Sequence, residues 1–245
     1  MLPELLNRGF ATIRKSELAQ MLSDELNEYL ELCFPSVQPL HRLQHLDEID
    51  YASRKSILKA YTLSKCCLSH IYSSAAVSIY SDFGIEVPTL ERMPVTHFLG
   101  PLALSDAKER SLESKLITPP HQDIVVTVGS SRQIVLFLVP YCSSMASLRI
   151  WPGSHRHGLL PWKEDPFGHR VVDTDSLGLP VDIAIRPGEI LVFSNKVVHS
   201  TIDTGNLRLA VSWRIDDLSD PEWKRNGYAR ISPMNSRLSA KQDLK

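Results

Sequence analysis

The rhythm of apolar and polar positions changes near residue 90. Before it, apolar residues recur every three or four positions. Leu18, Met21, Leu22, Leu26, Tyr29, Leu30 and, just beyond, Cys33 fall on one face of a helix. Ser16 precedes that run as an N-cap, with Glu17 in the first turn. Pro35 and Pro39 end it. Upstream, Gly9-Phe10-Ala11-Thr12-Ile13 reads as a short strand or lead-in. From about Ile49 to Tyr80 the helical period resumes, in two pieces, with Ile57, Ala60, Tyr61, Leu68, Ile71 and Tyr72 sharing a face. Ser64 interrupts that stripe and Gly84 ends it.

After residue 90 the period shortens to that of strands. Residues 95–99 read as one, followed by a charged and polar stretch, 105–114, without periodicity. Such a stretch suits a loop over a site. Further strands are expected at 124–128, 134–139, 148–151, 181–185, 190–193, 197–202 and 207–215. Turns such as Pro152-Gly153-Ser154 and Arg186-Pro187-Gly188-Glu189 divide them. Short strands at this density predict an antiparallel sandwich or barrel, mainly β with flanking helices. The 245 residues are expected to form one domain: a helical support over 1–90, a β core over 91–216 and a surface tail over 217–245.

Composition narrows the function. Lys+Arg 27 against Asp+Glu 28 leaves a formal charge of -1, without the basic surplus of a nucleic-acid binder. No Lys/Arg run argues for an anionic membrane surface. The four cysteines, Cys33, Cys66, Cys67 and Cys142, have no zinc or redox spacing and read as free thiols. With no signal-like N-terminus and no apolar run of membrane-spanning length, a cytoplasmic protein is expected.

Chemistry concentrates in the histidines. Two of the nine begin His-x-Asp patterns: His45-Leu46-Asp47 and His121-Gln122-Asp123. Alternate residues of a strand point to one side, whereas on a helix they diverge. His45 and Asp47 lie in helical sequence and are expected to be solvated. His121 and Asp123 follow Pro119-Pro120, which favours an extended entry. His199 opens another strand, with Arg208 on the next. Two imidazoles and one carboxylate can hold a mononuclear iron(II) and leave positions open. His155, His157 and His169, and likewise His70 and His97, read individually as packed or exposed histidines.

Together these stretches resemble the phytanoyl-CoA dioxygenase family of Fe(II)/2-oxoglutarate-dependent oxygenases. The resemblance is carried by Pro120-His121-Gln122-Asp123, Leu148-Arg149-Ile150-Trp151-Pro152-Gly153-Ser154-His155, Arg186-Pro187-Gly188-Glu189-Ile190-Leu191-Val192-Phe193, His199-Ser200-Thr201 and Asn206-Leu207-Arg208. It spans about the last half of the chain, in order. One departure is Met145-Ala146-Ser147, where the family commonly has Asn-Gly.

The resemblance implies a double-stranded β-helix, or jelly-roll, core. It implies His121, Asp123 and His199 as iron ligands, and Arg208 and Thr201 on the distal carboxylate of 2-oxoglutarate. Gln122 would lie near the co-substrate. Arg214 shares the parity of Arg208 and is a substrate-contact candidate. With O2 as second co-substrate, the expected reaction is hydroxylation, desaturation or cyclisation at a C–H bond, releasing succinate and CO2. Related halogenases carry Gly or Ala at the Asp123 position, so the carboxylate argues against halogenation. A small molecule, such as an amino acid or natural-product intermediate, is the expected substrate. Two alternatives stay open: a catalytically silent jelly-roll binder or sensor, and a cupin-type metalloenzyme without co-substrate.

Overall fold

The computed structural model describes residues 1–90, 94–101, 117–123, 132–166, 168–202 and 205–220, without the side chains of Leu40, Lys65 and Cys66. The expected loop at 105–114, the expected strand at 124–128 and most of the tail lie outside the described residues.

Six helices precede most of the strands: α1 (Leu2–Arg8), α2 (Glu17–Cys33), α3 (Arg42–Glu48), α4 (Tyr51–Thr62), α5 (Lys65–His70) and α6 (Ser74–Asp82). On α2, Leu18, Leu22, Leu26 and Leu30 are buried at four-residue spacing, and Ser16 caps its start by accepting from the Ala19 N–H. The expected two-piece helix over 49–80 is three helices. Ser64 and Ser73 cause the breaks: each leaves the helical conformation and its hydroxyl accepts from a backbone N–H three residues on, starting a new helix. Helix α1 was not expected; it packs beside the lead-in strand.

The strands are β1 (Phe10–Ile13), β2 (Pro88–Leu90), β3 (Val95–Leu99), β4 (Ile134–Cys142), β5 (Ala146–Ile150), β6 (Trp162–Glu164), β7 (Arg170–Val172), β8 (Val181–Ile185), β9 (Ile190–Ser194), β10 (His199–Thr201) and β11 (Arg208–Asp217). The larger sheet runs β1-β9-β4-β11-β2, with β3 also on β11; the smaller runs β10-β5-β8; β6 and β7 form a hairpin. All the pairings are antiparallel.

The period of two explains how the layers hold. Along β4, Ile134, Leu136 and Leu138 join the core beneath the helices, while Val135, Phe137 and Val139 join the core between the sheets. On β9, Ile190 and Val192 face the helices and Leu191 and Phe193 face the smaller sheet. Central strands covered on both faces therefore read as unbroken apolar runs. The result is a jelly roll with helices on the outer face of the larger sheet. Among the described residues, no helix is long and apolar enough to cross a membrane.

Turn chemistry then sets the smaller sheet. Gly153 takes a left-handed conformation (φ 81°) after β5. The next hydroxyl, Ser154 Oγ, donates to the Trp151 carbonyl and accepts from the Val198 N–H, both within 2.8 Å. This fastens the turn to the residue preceding His199.

Candidate metal centre

His121 and His199 are direct cross-strand partners: each backbone N–H donates to the other's carbonyl at 3.0 Å. Two further contacts hold the 117–123 segment: the Thr201 N–H donates to the Thr118 carbonyl at 3.0 Å, and the Val172 N–H to the Pro120 carbonyl at 2.8 Å. The segment is thus stitched between β10 and β7. Its regular pairing is a bridge at His121 rather than a long strand. Opposite residues of an antiparallel pair project to the same side, and the two imidazoles lie with ring centroids 4.2 Å apart. Phe193 packs on His199 at 4.6 Å.

One donor atom from each of His121, Asp123 and His199 lies within 4.8 Å of the others. The hydrogen bonds prepare these atoms for a cation. His121 Nδ1 lies 2.8 Å from the Pro119 carbonyl and His199 Nδ1 lies 3.2 Å from the Val197 carbonyl. A carbonyl can only accept, so each Nδ1 carries the proton and each Nε2 keeps its lone pair. Asp123 Oδ1 accepts from Arg214 Nη2 at 2.7 Å, and both side chains are buried.

Electrostatics agree with that assignment. Burial, reinforced by the neighbouring His121, pushes the His199 imidazole down to about 3. Burial likewise lowers His121 against the pull of Asp123. For Asp123, burial acts to raise the carboxyl, but Arg214 and the two imidazoles outweigh it and hold it well below the usual carboxylate range. Neutral imidazoles and an ionised carboxylate are the protonation states a metal requires. The donor set, two nitrogens and one oxygen on one side, fits a mononuclear iron(II) with open positions.

The three residues line a cavity of about 400 Å3, together with Thr201, Arg208 and Arg214. Both arginines of β11 thus reach the same space, as their shared parity predicts. The Arg208 side chain is fully buried, with Nη1 3.4 Å from the Ser147 carbonyl. The Thr201 hydroxyl is 3.0 Å from that of Thr118.

Gln122 does not match its expected place near the co-substrate. Alternation turns it to the other side, where Nε2 donates to the Gly158 and Lys196 carbonyls at 2.9 and 2.6 Å. Its Oε1 accepts from the Leu160 N–H at 2.9 Å. The side chain is spent on backbone groups and does not line the cavity. In the other His-x-Asp pattern, His45 and Asp47 both lie on α3 as expected, but Asp47 is buried rather than solvated, packed closely on Gly100.

Two cavity histidines escaped sequence reasoning. His97, on β3, has Nε2 3.0 Å from Ser212 Oγ. His169 lines the cavity from the β6–β7 hairpin, its Nδ1 2.9 Å from Asp165 Oδ2. The available signal was the turn sequence Asp165-Pro166-Phe167-Gly168, which marks a bend but not what it faces.

No protein-family model matches the chain, and no curated protein matches it by sequence. Solved structures do match its fold. EvdO2 from Micromonospora carbonacea var. aurantiaca, complexed with 2-oxoglutarate, is 15% identical; the match covers 89% of this chain and 92% of that one, with a TM-score of 0.50. EctD from S. alaskensis, with 2-oxoglutarate and 5-hydroxyectoine, is 12% identical over 89% of this chain and 75% of that one, with a TM-score of 0.51. At such identities the likeness is one of fold, and that fold is the jelly roll described above.

Proposed function

We propose that the chain is an Fe(II)/2-oxoglutarate-dependent dioxygenase of the phytanoyl-CoA dioxygenase family. It acts on a C–H bond of a small molecule and releases succinate and CO2. The observation that carries this reading is the meeting of two imidazoles and one carboxylate, one donor atom of each within 4.8 Å of the others, in a cavity that also receives Arg208 and Arg214. The 2-oxoglutarate held by EvdO2 and EctD, proteins of the same fold, supports the choice of co-substrate.

In this reading His121, Asp123 and His199 hold the iron. When bound, iron and 2-oxoglutarate together activate O2 for C–H cleavage. Arg208 receives the distal carboxylate of 2-oxoglutarate through a buried guanidinium, and the Thr201 hydroxyl adds a hydrogen bond. Arg214 fixes one oxygen of Asp123, which leaves the other for the metal. Phe193 and Phe137 supply an apolar wall to that space. The Asp123 carboxylate occupies the position that a halide would need, so hydroxylation, desaturation or cyclisation is the outcome assigned. Residues 1–245 act as one domain, with the helices of 1–90 bracing the larger sheet.

A silent binder or sensor with the same site would hold the metal without turnover. The distinguishing assay is succinate formation by the purified protein. It should depend on added Fe(II), 2-oxoglutarate and O2 and vanish in Asp123→Ala. Succinate formed equally by Asp123→Ala counts against the assigned site, and none formed by the wild type under any of these conditions counts against catalysis.

A further inference from the structure

We propose that the β6–β7 hairpin is the substrate-recognition element of this cavity and that it selects a small carboxylate, bound by Arg170 beside His169. This inference rests on the oxygenase reading above and goes beyond it by naming the substrate class.

Among the described residues, the cavity is lined by three arginines, Arg170, Arg208 and Arg214, and one acidic residue, Asp123. The charge of Arg214 is balanced by Asp123, to which its Nη2 donates at 2.7 Å. Arg208 is assigned to the distal carboxylate of 2-oxoglutarate. That leaves Arg170 as the cation for a third molecule. Its register partner across the hairpin, Glu164, is exposed and does not line the cavity.

The hairpin holds these groups in a defined shape. The Arg170 guanidinium lies over the Trp162 ring, 4.7 Å from its centroid. A cation–π contact of this kind restrains the guanidinium, and a guanidinium matches a planar carboxylate through paired hydrogen bonds. Beside it, Asp165 accepts from both the backbone N–H and Nδ1 of His169, at 2.8 and 2.9 Å, which sets the ring against the cavity. The turn closes with the Gly168 N–H donating to the Asp165 carbonyl at 3.0 Å.

The hairpin is also tied to the metal centre. The Val172 N–H donates to the Pro120 carbonyl, one residue before His121. A ligand gripped by Arg170 is therefore held at a fixed place relative to the proposed iron ligands, as positioning one C–H bond requires. A cavity of about 400 Å3 is at the small end for ligand sites and must also take 2-oxoglutarate, so the substrate is small.

The test uses matched probes. The anaerobic Fe(II)·2-oxoglutarate protein is titrated with a panel of L-amino acids and small aliphatic and aromatic carboxylates, each beside its amide. The readout is perturbation of the visible charge-transfer band. Acids should perturb the band and their amides should not. Arg170→Gln should raise the half-saturating concentration about tenfold or more, with Arg170→Lys between it and wild type. Arg149→Gln, which alters an exposed ion pair with Asp182, should titrate as wild type. Amides acting as well as acids, a panel without any effective acid, or Arg170→Gln titrating as wild type would each overturn the proposal. Absence of the band before any probe is added would remove the oxygenase reading itself, and this inference with it.

Discussion

Asp123 Oδ1 accepts from Arg214 at 2.7 Å, and in the proposed site the same carboxylate would also answer a metal. Removing one member of a buried pair strands the other charge, at a cost of about 3–5 kcal/mol. Arg214→Met should therefore lower the unfolding free energy of the metal-free protein by about that amount. Bound Fe(II) or Ni(II) should restore part of it, because the metal replaces the lost cation. Equal losses in urea titrations with and without metal would speak against the shared carboxylate. At Arg208, loss of a buried charged hydrogen-bond donor is worth about 1.5–3 kcal/mol. Arg208→Gln should accordingly raise the half-saturating 2-oxoglutarate concentration about ten- to hundredfold, with Fe(II) affinity little changed. Much at this scale is readable from sequence. His199 and Arg208 sit on strands whose parity fixes which way they point, and the bridge to His199 sets His121 on the same side. Gln122 shows the limit: a resemblance can transfer a residue's neighbourhood without its direction, and alternation sends its side chain to the Gly158 and Lys196 carbonyls.

The elements carry that geometry through a few local anchors. Gln122 satisfies three backbone groups that join the metal segment to the 158–160 turn and to Lys196. Gln122→Leu should cost about 2–4 kcal/mol in chemical unfolding, since those partly buried groups would lose their partner. The 2-oxoglutarate concentration dependence should stay within roughly twofold of wild type, because the side chain does not reach the cavity. A shift as large as that of Arg208→Gln would place Gln122 on the co-substrate after all. The long apolar strands and the amphipathic α2 were legible because burial repeats along them. The helix breaks at Ser64 and Ser73 were less so, since a serine hydroxyl caps or decorates a helix depending on the backbone around it. The β6–β7 hairpin was not legible: three-residue, largely exposed strands have no period to read, and the contact that places the hairpin, Val172 to Pro120, is long-range.

At the scale of the molecule, the larger sheet is closed at its β2 edge by Asp217. Its carboxylate accepts from the backbone N–H groups of Glu86, Val87 and Ser219 and from Arg132. Burial acts to raise this group, but the hydrogen bonds outweigh it and its pKa is lowered. A depressed carboxylate stabilises the folded state above its unfolded value, near 4, and loses that contribution as pH falls further. Stability measured from pH 7 downward should therefore fall more steeply for wild type than for Asp217→Asn. The variant should start about 1–3 kcal/mol lower at pH 7. Parallel curves would remove Asp217 from the acid response. Whether this scaffold is an oxygenase turns on one titration: 2-oxoglutarate added anaerobically to the Fe(II)-loaded protein, followed in the visible range. The account predicts a weak charge-transfer band that saturates at one 2-oxoglutarate per chain, shifts to higher concentration in Arg208→Gln and is absent in Asp123→Ala. No band in the wild type, or the same band in Asp123→Ala, would contradict it.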